Sequence, residues 1–373
     1  MTRYLYLLLA IAFISCSSEK ESETEKTAAF DFTYTIDTVM VDAGEHFFFL
    51  NWGLGISDLV EETQLLYNLN PNSLLLEVVD LRNLSLKETI QLEKEGPNGL
   101  GGGFVVGIDK KASGDLFYFD VTGLNHLKPD GTKVGKIELE GELLTSQGLP
   151  VDATLDIHGV VSEDGKTLIT PYEEIGAKGK MLGLAVLTLD DIKLKLIPSD
   201  FLQYLEDFEI YMQENGLTRV SNPEPLYMLQ VGEQLILNTS AKNEAWIYDR
   251  ATDSLFQKSF TSHLTSNVKK GAYETITESM EAFKEEGKKK ASEVNFGPLV
   301  YDAEHKLFWR FSGEGKTKVL TVFDDELNLL TEELLPENFG IGRKPYFLDG
   351  MLYQFLNIDD ELAFIRLKPI LEE

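Results

Sequence analysis

The 373-residue chain predicts an all-β fold, a six-bladed β-propeller of four-stranded antiparallel blades carrying two short helical insertions. Three patterns carry that expectation. Apolar and polar residues alternate with period two in many short runs. A local pattern of a polar turn, a leucine and a strand recurs at intervals near 50 residues. The final unit is one strand short, while a spare strand stands near the start of the chain.

That spare strand is plain in the residues. Phe30, Phe32, Tyr34 and Ile36 alternate with Asp31, Thr33, Thr35 and Asp37, the period of a strand with one buried face. The recurring leucines are Leu65, Leu116, Leu168, Leu235, Leu307 and Leu352, at intervals of 51, 52, 67, 72 and 45. Each of the two long intervals contains a segment with helical spacing. Residues 199–214 place Phe201, Leu205, Phe208 and Met212 on one stripe behind Ser199 as a cap, and residues 272–293 align Ile276, Met280 and Phe283 to pack on the ring. Without them the intervals become 51 and 50. Each unit holds about four strands: 226–231, 235–239, 245–250 and 255–260 in the fourth, then 297–302, 307–311, 319–324 and 329–335 in the fifth. An aspartate recurs where the third strand ends, at Asp80, Asp130, Asp190, Asp249 and Asp324. Four-stranded units of this length are propeller blades. The last unit stops after 362–367, so the strand at 30–36 completes it and closes the ring.

Composition excludes several functions. Acidic side chains outnumber basic ones 62 to 34, a formal charge of −28. Phosphate affinity comes from neutralising Lys and Arg, so the balance opposes nucleic-acid binding and electrostatic docking on anionic lipid. The apolar content of 43% is too high for a disordered chain, and a mean hydropathy of −0.13 is too low for a polytopic membrane protein. One cysteine permits neither a disulfide framework nor a thiolate metal cluster.

Residues 1–15 read as a signal peptide: Arg3, an apolar run from Tyr4 to Ile14, then Ser15. The run is shorter than the ~20 residues of a membrane span. Phe13-Ile14-Ser15-Cys16 resembles the bacterial lipobox, which implies that Cys16 carries the lipid and becomes the new N-terminus. Residues 16–29 form a flexible acidic tether whose Ser- and Glu-rich start resembles the signals that export some Gram-negative lipoproteins to the outer face of the outer membrane. With the six-unit pattern and Glu95-Gly96-Pro97-Asn98-Gly99 after the strand ending at Leu92, these features resemble bacterial six-bladed propeller lipoproteins whose domain is of unknown function. The resemblance covers nearly all of residues 30–373. It implies an outer-membrane lipoprotein, facing the periplasm or the exterior, and brings no catalytic residue with it.

Most chemical-looking motifs have structural readings. The loop Gly96 to Gly103 lacks the Lys-Ser/Thr ending of a phosphate loop, and no helix pattern follows it, so it reads as a tight crossing between blades with Asn98-Gly99 supplying positive φ. The pairs Asp190-Asp191, Asp324-Asp325 and Asp359-Asp360 fall in hairpin turns. Asp109 to Asp115 outlines a calcium loop, but Lys111 occupies a ligand position. Lys288, Lys289 and Lys290 complement the dipole at a helix C-terminus. The exception is Asp152, Asp156 and His158, since an adjacent carboxylate orients an imidazole. Asp156 and His158, two apart on one strand face, lie where the innermost strand of the third blade begins. Asn295 and Phe296 begin that strand in the fifth blade, and Arg343 and Lys344 in the sixth. The expected ligand-binding set at one mouth of the channel is therefore Asp156, His158, Asn295, Arg343 and Lys344. No Ser-His-Asp or Cys-His set can be assigned and no HExxH occurs. The expected function is a lipid-anchored module binding a glycan, a peptide or an envelope protein, without a cofactor. The alternative is a hydrolase or lyase working with a divalent ion such as calcium at the same mouth.

Overall fold

The computed structural model describes residues 30–101, 104–176, 180–337, 339, 340, 342 and 344–371. The signal peptide, Cys16 and the tether lie outside the described residues, as does Arg343. Between Phe32 and Leu371 the regular secondary structure is almost wholly antiparallel strand.

Six sheets follow one another along the chain, each with its strands in consecutive order. The first comprises Ser57–Val60, Leu65–Asn70, Leu75–Asp80 and Ser85–Gln91, and the second Val105–Lys110, Leu116–Asp120, Gly123–Leu127 and Lys133–Glu138. The third holds Thr167–Glu174, Met181–Thr188 and Lys193–Pro198, with Ala153–Leu155 and Val160–Val161 sharing its inner edge. The fourth is Leu226–Val231, Gln234–Thr239, Glu244–Asp249 and Ser254–Ser259; the fifth is Asn295–Asp302, Leu307–Glu314, Thr317–Phe323 and Leu329–Leu335. Each of these eight strands overlaps the expected one. The sixth sheet has Tyr346–Leu348, Met351–Ile358 and Glu361–Leu371, and its outermost strand is Phe32–Met40, paired from Phe32 with Leu371 to Met40 with Ala363. The N-terminal strand therefore completes the last sheet, as its alternation implied.

Alternation along a central strand explains how the sheets join. In the second sheet, Leu116 and Tyr118 pack toward the first, while Phe117 and Phe119 pack toward the third. Leu235 and Leu237 of the fourth sheet face the third, and Ile236 faces the fifth. Leu307, Trp309 and Phe311 face the sixth, and Phe308 faces the fourth. Further clusters join the first sheet to the second through Leu69 and Leu76, and to the sixth through Leu66, Val79, Tyr353 and Phe364. With both faces buried, each sheet packs between two neighbours and the last meets the first, which is the propeller arrangement.

Two expectations change. Among the described residues there are seven sheets, not six units alone. The seventh is three-stranded, with Ile210–Glu214 pairing antiparallel to Leu217–Asn222 and parallel to Ile276–Thr277. It arises within the segments expected to be helical insertions. Residues 199–214 do not form one helix: Gln203–Phe208 is a short 3-10 helix, and a strand follows. Ser199 accepts a bond from Phe201 N rather than capping an α-helix. The strand wins because Asn215-Gly216, with φ of 53° and 76°, folds a two-residue hairpin behind it. In 272–293 the α-helix is confined to Met280–Ser292, capped by Ser279 through Ala282 N at 3.2 Å. The expected apolar stripe does not pack as a face either. Ile276 lies in the short strand, Ile276 and Met280 are exposed, and the buried side chains of the helix are Glu286 and Lys290.

The turn readings hold where the structure describes them. Asp80, Asp130, Asp249 and Asp324 each accept backbone amides two to four residues onward, the Asx geometry. Gly96 has φ of +94°, while Asn98 and Gly99 do not take positive φ. Gly99 is needed for room instead, because a Cβ there would stand 2.7 Å from the Glu95 carbonyl carbon.

Candidate ligand-binding mouth

The innermost strands are tied together by carboxylates. Asp58 accepts Lys110 N at 2.7 Å, and Asp109 accepts Val161 N at 2.9 Å, each contact spanning 52 residues. Lys111, almost fully buried, joins Asp109 at 2.5 Å and donates to the Val161 carbonyl at 2.6 Å. This is the bond that the lysine in the calcium-loop outline makes. Burial, only partly offset by Lys344, pushes the Asp58 carboxyl up to about 6. The Asp58 and Asp109 bonds tie the innermost strand of the first sheet to that of the second, and that of the second to that of the third.

At the third sheet the innermost strand is broken. Leu155 pairs with Tyr172 and Val160 with Ile169, so residues 156 to 159 face only Thr170 and Pro171, a bulge of two extra residues. Asp156 N donates to the Pro171 carbonyl at 2.8 Å, and Thr170 Oγ1 donates to the Asp156 carbonyl at 2.8 Å. Gly159 fits closely, since a Cβ there would meet Leu168 Cδ1 at 2.4 Å. The bulge brings Asp156 and His158 together, although they do not sit on a regular strand face as expected. Asp156 Oδ1 accepts His158 N at 2.7 Å and lies 2.8 Å from His158 Nδ1. The imidazole is 65% exposed, and its bond to Asp156 raises its pKa above the ordinary value. Beside them, burial and then the charges of Asp156 and Glu209 push Glu173 up to about 7. Glu209, just after the 3-10 helix, accepts the Tyr211 hydroxyl at 2.6 Å.

The other expected residues make separate contacts. Lys344 donates to the Ser57 carbonyl and stands 3.9 Å from Asp58, linking the sixth sheet to the first. Asn295 donates to the Ala291 and Glu293 carbonyls, at 3.2 and 2.8 Å, and so ties the end of the helix. Neither residue is in hydrogen-bond or ion-pair contact with Asp156 or His158, and Arg343 lies outside the described residues. Among the described residues no three His, Cys, Asp or Glu side chains converge as a metal-binding group, so the donor set a divalent ion would need is not assembled there.

Sequence reasoning missed an aromatic row. The Phe49 and Trp52 rings are 5.8 Å apart edge to face, and Trp52 and Phe104, which stands just before the second sheet, are 5.5 Å apart. Trp52 is 44% and Phe104 59% exposed. The run Phe47-Phe48-Phe49 followed by Trp52, with Phe104 one 52-residue offset later, was its signal.

A closed succession of antiparallel sheets, each packed between two neighbours, defines an all-β protein of the propeller class. The chain belongs to DUF4221, a family described as a domain of unknown function, whose model matches residues 29–334. Its structure is similar to that of a DUF4221 member from Bacteroides vulgatus, with 14% identity, a TM-score of 0.66, and coverage of 92% of this chain and 99% of that one. A putative exported protein from Bacteroides fragilis has 12% identity and a TM-score of 0.50, with coverage of 91% and 96%. No curated protein matches the chain in sequence.

Proposed function

We propose that this chain is a cell-envelope binding module: a six-bladed ring, held by a lipid at Cys16 and the tether 16–29, that takes a glycan, a peptide or an envelope protein at its mouth. The observation that carries the reading is the exposed pair of Trp52 and Phe104, whose rings lie 5.5 Å apart. Exposed aromatic rings that touch one another are typical of recognition surfaces. The count of six blades rests on the cycle of hydrophobic clusters between successive sheets, in which no residue of the three-stranded sheet takes part. An envelope location, as an outer-membrane lipoprotein facing the periplasm or the exterior, draws support from the exported protein of Bacteroides fragilis and from the resemblance at Phe13 to Cys16. The hydrolase or lyase with a divalent ion stands behind this reading, for want of an assembled donor set among the described residues.

The test is capture from fractionated envelope extracts and glycan arrays by the mature chain and by Trp52→Ala. Ligands retained by the former and lost by the latter support the module. Empty captures, or identical profiles for both proteins, overturn it.

A further inference from the structure

We propose that the end of the ring where the innermost strands begin is, over the first three sheets, a docking face for a protein partner whose own surface is apolar and basic. This rests on the binding-module reading and names the partner class.

Strand register defines the two ends. In the second sheet the innermost strand begins at Val105, opposite Asp120. Just outside that pair, Val121 N donates to the Phe104 carbonyl at 3.1 Å. The third sheet repeats the arrangement, with Ala153 opposite Glu174 and Ile175 N donating to the Asp152 carbonyl at 2.7 Å. Phe104, Val121 and Ile175 are exposed, and Val151, next to Asp152, is 86% exposed. In the crossing that leads into the first sheet, Phe47 is 90% exposed and Trp52 lies against Phe104. The turns at the opposite end, 61–64, 111–115, 162–166 and 303–306, contain no large apolar residue.

At the fourth and fifth sheets the chain covers the same end itself. The long crossings 199–225 and 260–294 flank those sheets, and the second of them bonds to their turns. Lys269 N donates to the Ala241 carbonyl and Asn243 N to the Asn267 carbonyl, both at 2.9 Å, and Gly315 N donates to the Ser292 carbonyl at 3.1 Å. Ala241 and Asn243 are buried as a result. Over the first three sheets the crossings are shorter, and the apolar side chains stand in solvent. Apolar exposure gathered at one end and missing from the turns of the other marks an interaction surface rather than scatter.

Charge selects the partner. The crossings 41–56, 92–104 and 139–152 hold seven acidic residues and one lysine, Lys94. All seven acids are exposed, and among the described residues none is in an ion pair. Apolar side chains interspersed with unpaired carboxylates complement a protein face with Lys and Arg around an apolar centre. Sugars and lipid match it less well. Val121, Val151 and Ile175 offer no ring for a sugar to stack on, and the carboxylates repel anionic headgroups. The preceding chain also attaches at the other end: Phe32 pairs with Leu371, beyond the Leu367–Leu352 pair beside the Leu348–Met351 turn.

The experiment places the photo-crosslinker p-benzoylphenylalanine at position 47, 121 or 175 of the full chain in its own cell, with positions 62 and 163 of the opposite end as controls. The expected result is that the first three sites crosslink to one and the same protein and the controls do not. Purified, that protein should bind the mature chain with an affinity that falls at least about tenfold in Phe104→Ala, in Val151→Asp and between 50 and 500 mM salt. Glu95→Lys should weaken it as well. These side chains are exposed, so every variant should melt with the parent chain, which checks the fold. Crosslinks that are equal at both ends, or that reach no protein, overturn the proposal, as does an affinity unmoved by salt and by Glu95→Lys. Phosphatidylcholine vesicles, neutral gluco- and N-acetylchito-oligosaccharides and the chain alone at high concentration test the other occupants. Trp52-dependent binding of an oligosaccharide, of vesicles or of a second copy, with no crosslinked protein, overturns the proposal and leaves the module reading standing only in the first case. If no ligand of any class responds to Trp52→Ala, both readings fail.

Discussion

Asp156 moves both of its neighbours in the same direction, favouring the charged form of one and the neutral form of the other. It raises the pKa of His158 by holding the protonated ring, and it adds to the burial that pushes Glu173 up to about 7. For His158 the folded value exceeds the unfolded one of about 6.5, so its stabilisation is complete below that pH and is lost as pH rises through the folded pKa. NMR titration should find the pKa of His158 returned toward its ordinary value in Asp156→Asn. For Glu173, a raised carboxyl means that the folded state holds its proton more tightly than the unfolded chain, so stability falls as pH rises from about 4.5 to about 7. Glu173→Gln should therefore raise the melting temperature at pH 8 and change it little at pH 4. An equal gain at both values would rule out titration as the cause. Of this cluster, only Asp156 and His158 were legible in the sequence, because residues two apart can be paired by inspection. Glu173 reaches them through strand register, opposite Thr154, which one local window does not contain.

The elements read from the sequence with uneven success, and the reason is range. The strands of the fourth sheet fall within one residue of expectation because Asx turns and Gly punctuate them locally. The segment 199–214 misled because its apolar spacing fits a helix, while Asn215-Gly216, just beyond it, commits the chain to a hairpin. The helix Met280–Ser292 misled differently, since its contact with the ring is ionic. Glu224, with a fully buried side chain, meets Lys269 at 2.6 Å and Lys290 at 3.0 Å, and Lys290 also donates to the Asn222 and Pro223 carbonyls. Burial lowers the Lys290 pKa against the pull of Glu224. Glu224→Ala leaves two buried ammonium groups together and should cost roughly 3–5 kcal/mol. Lys290→Ala leaves the Glu224–Lys269 pair intact and should cost less. Urea denaturation of both variants checks the order, and a reversed order would show that the helix, not the carboxylate, holds this region.

At the scale of the molecule, stability depends on closing the succession of sheets. Phe32 is 4% exposed and packs edge to face on Trp309 at 5.4 Å, so the first residue of the closing strand reaches the cluster between the fifth and sixth sheets. Phe32→Ala should cost about 3–5 kcal/mol, read as a lower denaturant midpoint with an unchanged slope. A loss confined to fraying of residues 32–40, with the global midpoint unchanged, would mean that closure is local. The closure was legible because the last unit lacked a strand and the first run had no unit. The seventh sheet was not legible, since its strands come from two connections about 60 residues apart.

The closing strand also fixes how the molecule responds to tension. Residues before Phe32 leave from the outermost strand of the sixth sheet, at the rim, away from the innermost strands that form the mouth. Phe32 pairs with Leu371 and Met40 with Ala363, and the partner strand is held on its far side from Glu361 to Leu367. A pull on Phe32 along the strand axis therefore loads the nine pairs from Phe32 to Met40 in shear. A load applied there would meet the longest strand pairing among the described sheets, so the residue that begins the closing strand is also the best secured against force.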